Sequence, residues 1–151
     1  MALDRSAIEA IIPHRRPFLF VDRISELEYG RRAVGWIDDV AQHGSILSGH
    51  FPGFPVLPGV IIVEALAEVG AVAALGLEEY RGKIAVLGGL DGWRFRKMAR
   101  PGDRVRLEAE LLRLRGSFGK GRLRATIDGD LAAEGQMTFG LVDRPAELLA
   151  E

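Results

Sequence analysis

The apolar run at residues 60–77 consists of Val, Ile, Leu, Ala and Gly, interrupted only by Glu64 and Glu68. Four residues apart, the two carboxyls stack on one face of a helix. Burial raises a carboxyl pKa, and a neighbouring carboxylate raises it further. One of the pair can then keep its proton near neutrality and serve as a general acid. The same spacing fits a salt bridge to an arginine, or a helix face that reaches solvent, and from spacing alone both readings stand. His50 lies just upstream, in Gly49-His50-Phe51-Pro52-Gly53. Its imidazole titrates near neutral pH and can take a proton from carbon next to a thioester, although a lone histidine is more often structural. His14 and His43 read as structural. Three histidines at these spacings match no metal motif, so no metal or cofactor is expected. Gly59 would present a bare N–H at the start of the helix, where unpaired amides and the helix dipole suit a developing oxyanion. Without His50 and Glu64 it would be only a helix start.

The rest of the chain must position these groups. Ser6 and Glu9 read as a capping box for a short helix that stops by Pro13. Residues 17–29 hold a strand with 18–21 as its apolar heart, and 31–40 form its hairpin partner across Gly30. Residues 41–59 read as a fixed, partly buried loop, with Pro58 in the first turn of the helix that follows. That helix is apolar on all sides and so is surrounded by protein. Two strands are expected at 83–90 and 93–98. In 103–111, Val105, Leu107, Ala109 and Leu111 alternate with charged residues, the pattern of a half-buried strand. Residues 122–127 and 130–141 form a hairpin around Asp128-Gly129. The expected class is α+β: one hydrophobic helix wrapped by a long antiparallel sheet. The tail at 142–151 is expected to fray.

Composition bounds the function. The chain has 151 residues, 48% of them hydrophobic and 27% charged, enough for one domain over residues 1–151 with a real core. A net charge of −1 argues against a nucleic-acid binder. The absence of cysteine excludes a disulfide scaffold, a thiolate zinc site and a cysteine nucleophile. The N-terminus lacks a signal-peptide pattern, and two carboxylates inside the apolar run are costly in lipid. A cytoplasmic protein outside the membrane is expected.

The run from Gly49-His50-Phe51-Pro52-Gly53 through Pro58-Gly59 to Glu64-Ala65-Leu66-Ala67 resembles the signature of the β-hydroxyacyl-acyl carrier protein dehydratases of the FabZ type. Pro13-His14-Arg15-Arg16-Pro17-Phe18, Gly89-Leu90-Asp91 and Pro101-Gly102-Asp103 resemble other segments of that family, so the likeness spans nearly the whole chain short of its tail. It implies a hot-dog fold, and a homodimer as the minimal active unit, often assembled as a trimer of dimers. It implies that His50 and Glu64 from different subunits face each other. His50 would remove the α-proton of a 3-hydroxyacyl thioester and Glu64 would protonate the departing β-hydroxyl. The Gly59 N–H would polarise the thioester carbonyl, and the Val56 carbonyl would orient the His50 ring. A cis His50–Phe51 peptide is also implied. Residue 68 in this family is usually glutamine, which helps hold the hydroxyl or the released water; here it is Glu68. A second carboxylate at that position is expected to hold Glu64 protonated.

Dehydration of 3-hydroxyacyl chains on acyl carrier protein, in fatty-acid synthesis, is the preferred reading. A hot-dog acyl thioesterase with Glu64 activating water is the alternative enzyme, and an acyl-binding module without catalysis is the third. Residues 91–124 hold eleven basic and four acidic side chains. Arg94, Arg96, Lys97 and Arg100 in that segment are the expected contacts for an acidic carrier protein.

Overall fold

A computed structural model describes residues 1–149. The first helix, α1 (Arg5–Ile11), is capped by Asp4, whose carboxyl accepts the Ala7 amide at 2.9 Å. The expected capping box is therefore displaced: Ser6 lies inside the first turn, and the earlier carboxylate takes the cap. Residues 18–21, expected as a strand, are not one. Strand β1 begins later (Arg23–Glu28) and pairs with β2 (Arg32–Ile37) across Gly30, whose φ of 84° suits a residue without Cβ.

The connection that follows carries a 3₁₀ turn (Val40–His43) and α2 (Gly44–Leu47) before the long helix α3 (Gly59–Leu75). Pro58 is the N-cap of α3, one residue earlier than expected. Residues of α3 from Ile62 to Leu75 are buried on most sides, as all-round apolarity requires. Gly35 lets helix and sheet approach closely, since a Cβ there would stand 2.8 Å from the Val69 side chain.

The remaining strands are β3 (Lys83–Phe95), β4 (Val105–Arg115), β5 (Phe118–Ile127) and β6 (Asp130–Asp143). They complete one six-stranded antiparallel sheet in the order β1-β2-β4-β5-β6-β3, wrapped on α3 in the expected hot-dog layout. β3 is one strand, not two; its glycines mark register shifts between Leu87 and Gly89 and between Asp91 and Arg94. Val105, Leu107 and Ala109 face the core as their alternation predicts. Asp128 and Gly129 take positive φ of 52° and 80° in the β5–β6 turn, the conformation of a type I′ hairpin.

β6 runs through Asp143, which pairs with Lys83 at 2.7 Å, and Arg144 donates to the Ile11 carbonyl at 3.1 Å before α4 (Ala146–Leu149). Positions 150 and 151 lie outside the described residues. Among the described residues no helix is long and apolar enough to cross a membrane.

Candidate active site

His50 stands on the loop that leads into α3. Its Nδ1 lies 2.9 Å from the Val56 carbonyl, while its own carbonyl accepts the Val56 amide at 2.8 Å. A carbonyl can only accept, so Nδ1 carries the hydrogen and Nε2 keeps the free lone pair of a base. The His50–Phe51 peptide is cis, and the two rings stack with centroids 4.1 Å apart. Mutual backbone bonds between Phe51 and Phe54 close the loop on itself, and a bond from Leu57 to the Ala99 carbonyl ties it to the segment that follows residue 95. His50, Val56 and Gly59 line one cleft of about 280 Å³ with Phe95, Arg96 and Lys97. The Gly59 amide opens α3 and has no backbone acceptor among the described residues. A Cβ at Gly59 would meet the Phe95 ring at 3.0 Å, which explains the glycine.

Glu64 and Glu68 occupy a different place. Glu64 is partly exposed and lines two adjoining apolar spaces, one of about 80 Å³ running between α3 and the sheet, the other a cleft of about 510 Å³. Ala67, Leu87 and Met137 line both, so the carboxyl sits at the junction of a path suited to an acyl chain. His50 lines neither space. Within one chain, therefore, His50 and Glu64 open onto separate clefts.

Glu68 is 1% exposed. Its Oε1 accepts the amides of Phe20 at 2.8 Å and Val21 at 3.3 Å. This is why residues 18–21 do not join the sheet: amides that would pair with a strand are taken by a helix side chain. Burial, reinforced by the Glu64 carboxyl, pushes the Glu68 pKa up to about 9, against the pull of the two amides. Burial thus favours a retained proton on Glu68, where the sequence had looked for one only on Glu64.

His14, read as structural, stands with its Nε2 3.3 Å from Glu64 Oε2. It is the site neighbour that sequence reasoning missed. The remaining histidine, His43, is structural as expected: it is buried against Phe20, and burial lowers its pKa. One donor atom each from His14, Glu64 and Glu68 lies within 4.8 Å of the others. Zinc donors sit about 2.0–2.2 Å from the ion and must be deprotonated. A buried Glu68 that favours its neutral form suits a proton-sharing group.

Of the four cations expected to meet a carrier protein, Lys97 pairs with Asp130 at 3.2 Å, and the Arg100 guanidinium lies over the Phe54 ring at 4.1 Å. Arg94 and Arg96 have no ion-pair partner among the described residues.

A hydrophobic helix inside an antiparallel sheet, with a histidine on its leading loop and carboxyls along it, defines a hot-dog protein with a candidate acid–base pair. The FabA-like domain family matches residues 12–136, and the chain belongs to that family. It is 56% identical over 144 residues to the 3-hydroxyacyl-[acyl-carrier-protein] dehydratase FabZ of Geobacillus thermodenitrificans, covering 95% of this chain and 99% of that one. It is 54% identical to the protein of the same name from Thermomicrobium roseum, covering 95% and 96%. Among solved structures, the dehydratase heterocomplex ApeI:P from Xenorhabdus doucetiae shares the fold, with a TM-score of 0.75, 15% identity and 95% of each chain covered. A hypothetical thioesterase protein with coenzyme A from Streptococcus pneumoniae shares it at a TM-score of 0.62 and 12% identity, covering 80% of this chain and 85% of that one.

Proposed function

We propose that this protein is a cytoplasmic enzyme that dehydrates (3R)-hydroxyacyl chains on acyl carrier protein to trans-2-enoyl chains in fatty-acid synthesis. The observation that carries this reading is the directed imidazole: the Val56 carbonyl fixes His50 Nδ1 and leaves Nε2 free as a base beside the Gly59 amide. His50 takes the α-proton, the Gly59 N–H stabilises charge on the thioester oxygen, and Glu64 protonates the β-hydroxyl, which leaves as water. The near full-length identity to proteins named as this dehydratase supports the assignment.

Two copies are needed. His50 and Glu64 line separate clefts in one chain, and β3 is an unpaired sheet edge with Val86, Leu87, Leu90 and Phe95 exposed. Pairing two β3 edges would cover those side chains and bring the His50 of one copy toward the Glu64 of the other. A homodimer is therefore the minimal active unit, free to assemble further into a hexamer. Arg94 and Arg96 remain available to steer an acidic carrier protein to the His50 cleft.

The test is incubation with a 3-hydroxyacyl thioester while enoyl absorbance and free thiol are followed together. Enoyl product without thiol is expected. Thiol release alone would make the protein a thioesterase, and neither signal would make it an acyl-binding module.

A further inference from the structure

Glu68 is a buried acid with no role in the proton transfers above. Its two oxygens have different surroundings. Oε1 accepts two backbone amides, from Phe20 and Val21. Oε2 is buried and receives no hydrogen bond, and one oxygen of the Glu68 carboxyl lies within 4.8 Å of one of Glu64. Two neighbouring carboxylates, one of them buried, repel unless a proton is held on the pair. The oxygen that already accepts two amides is the carbonyl-like one, so the hydrogen belongs on Oε2.

We infer that Glu68 works as a neutral carboxylic acid that positions Glu64, accepting the Phe20 and Val21 amides at Oε1 and donating an Oε2–H bond to the Glu64 carboxyl. This rests on the proposed role of Glu64 as the acid. When Glu64 gives its proton to the departing hydroxyl, it becomes a carboxylate; the Glu68 O–H then points at the new charge and keeps its own proton. A glutamine would offer the same pair of contacts, its carbonyl to the amides and its N–H to Glu64. Glu68 therefore fills an amide's place only while it is protonated, which gives the site an alkaline limit that an amide would not have.

The surroundings contain little else that titrates. His14 faces Glu64 from the segment after α1. His43 packs on the Phe20 ring and is driven toward its neutral form by burial. Arg5, Arg16 and Asp22 are tied to one another. β2 and β4, which also pack on α3, bring Ala33, Gly35, Leu107 and Ala109, none of them ionisable.

The test uses the full-length protein with Glu68→Gln and Glu68→Leu. An exposed glutamate releases its proton near 4.5, whereas the folded protein holds that of Glu68 to about 9. The folded state thus binds the extra proton, and wild-type stability must fall relative to Glu68→Gln as pH rises between those values. The expected result is a wild-type Tm that declines against that of Glu68→Gln across this range. Glu68→Leu should lower kcat on the order of 10- to 100-fold, the worth of a hydrogen bond to a charged group, and Glu68→Gln should recover most of that loss. The alkaline limb of the pH–rate profile should move to higher pH in Glu68→Gln, because an amide N–H is a weaker donor to the Glu64 carboxylate and does not ionise. Parallel Tm curves would overturn the inference. So would an alkaline limb that stays in place or moves to lower pH, the latter showing that an anionic Glu68 had been holding the Glu64 proton. If no form of the protein dehydrates the thioester, the proposed function falls, while the Tm curves still decide whether Glu68 is protonated.

Discussion

The sheet has two outer edges made from opposite materials. β1 is six residues long, its accessible positions are Arg23, Ser25, Glu26, Leu27 and Glu28, four of the five polar or charged, and Leu3 bridges to Ile24 along part of its open side. Charges lace this region: Arg32 pairs with Glu26 at 3.0 Å and with Glu108 at 2.7 Å, and Arg23 with Asp38 at 2.9 Å. β3 is thirteen residues long and exposes Leu87 and Phe95 by 61% and 52%. A short, charged, partly covered edge resists pairing, whereas a long apolar one invites it. Both proposed catalytic groups lie beside the second edge: Glu64 shares its spaces with Leu87, and Phe95 borders the His50 cleft. In the proposed dimer, assembly and catalysis meet at the β3 edge, and the β1 edge takes part in neither.

The largest effect that would sharpen this contrast is a charge on β3. Leu87→Asp places two like charges near the two-fold of the proposed dimer and leaves them buried. A loss of about 3 kcal/mol or more in association is expected, roughly a 100-fold weaker dimer. Sedimentation velocity at micromolar concentration would show monomers that keep a cooperative unfolding transition. An unchanged mass would break the comparison, because the exposed apolar edge would then have no partner to lose.

A change beside the quiet edge, on the neighbouring strand β2, should do little. Arg32 holds the Glu108 carboxyl below its ordinary pKa through their hydrogen bond. A depressed carboxylate stabilises the fold above its unfolded pKa and loses that contribution as pH falls through its folded value. Both side chains are about one-third exposed or less, so screening keeps the pair within about 1 kcal/mol. Arg32→Ala should lower Tm by a few degrees at neutral pH, and the difference should vanish in acid, with oligomeric mass and activity unaffected. A change in mass would place the β1 edge in the assembly after all.

Much of this architecture can be read in the chain, and what cannot be read is non-local. The alternation at Val105, Leu107 and Ala109 and the all-round apolarity of α3 are local patterns, and both elements form where expected. The apolar run at 18–21 looks like a strand, but its amides pair with Glu68, a side chain 48 positions beyond Phe20. The glycines within β3 look like a break between strands and are bulges, because β6 continues to pair on both sides of them. His50, Gly59 and Glu64 could be singled out because loop and helix are contiguous. His14 could not, since only the folded chain brings its ring to Glu64. The raised pKa of Glu68 was hidden for a related reason: spacing shows that two carboxyls share a face, while the fold decides how deeply each is buried.

The central claim is that each active site is assembled from two copies across the β3 edge. Subunit complementation tests it most directly. His50→Ala and Glu64→Ala proteins, each nearly inactive alone, are mixed under conditions of proven exchange and assayed with a 3-hydroxyacyl thioester. Random assortment places one intact site in each mixed dimer, so activity should return to about one quarter of wild type. No recovery in a sample where heterodimers are demonstrated would contradict the account and place the acid and base within one chain.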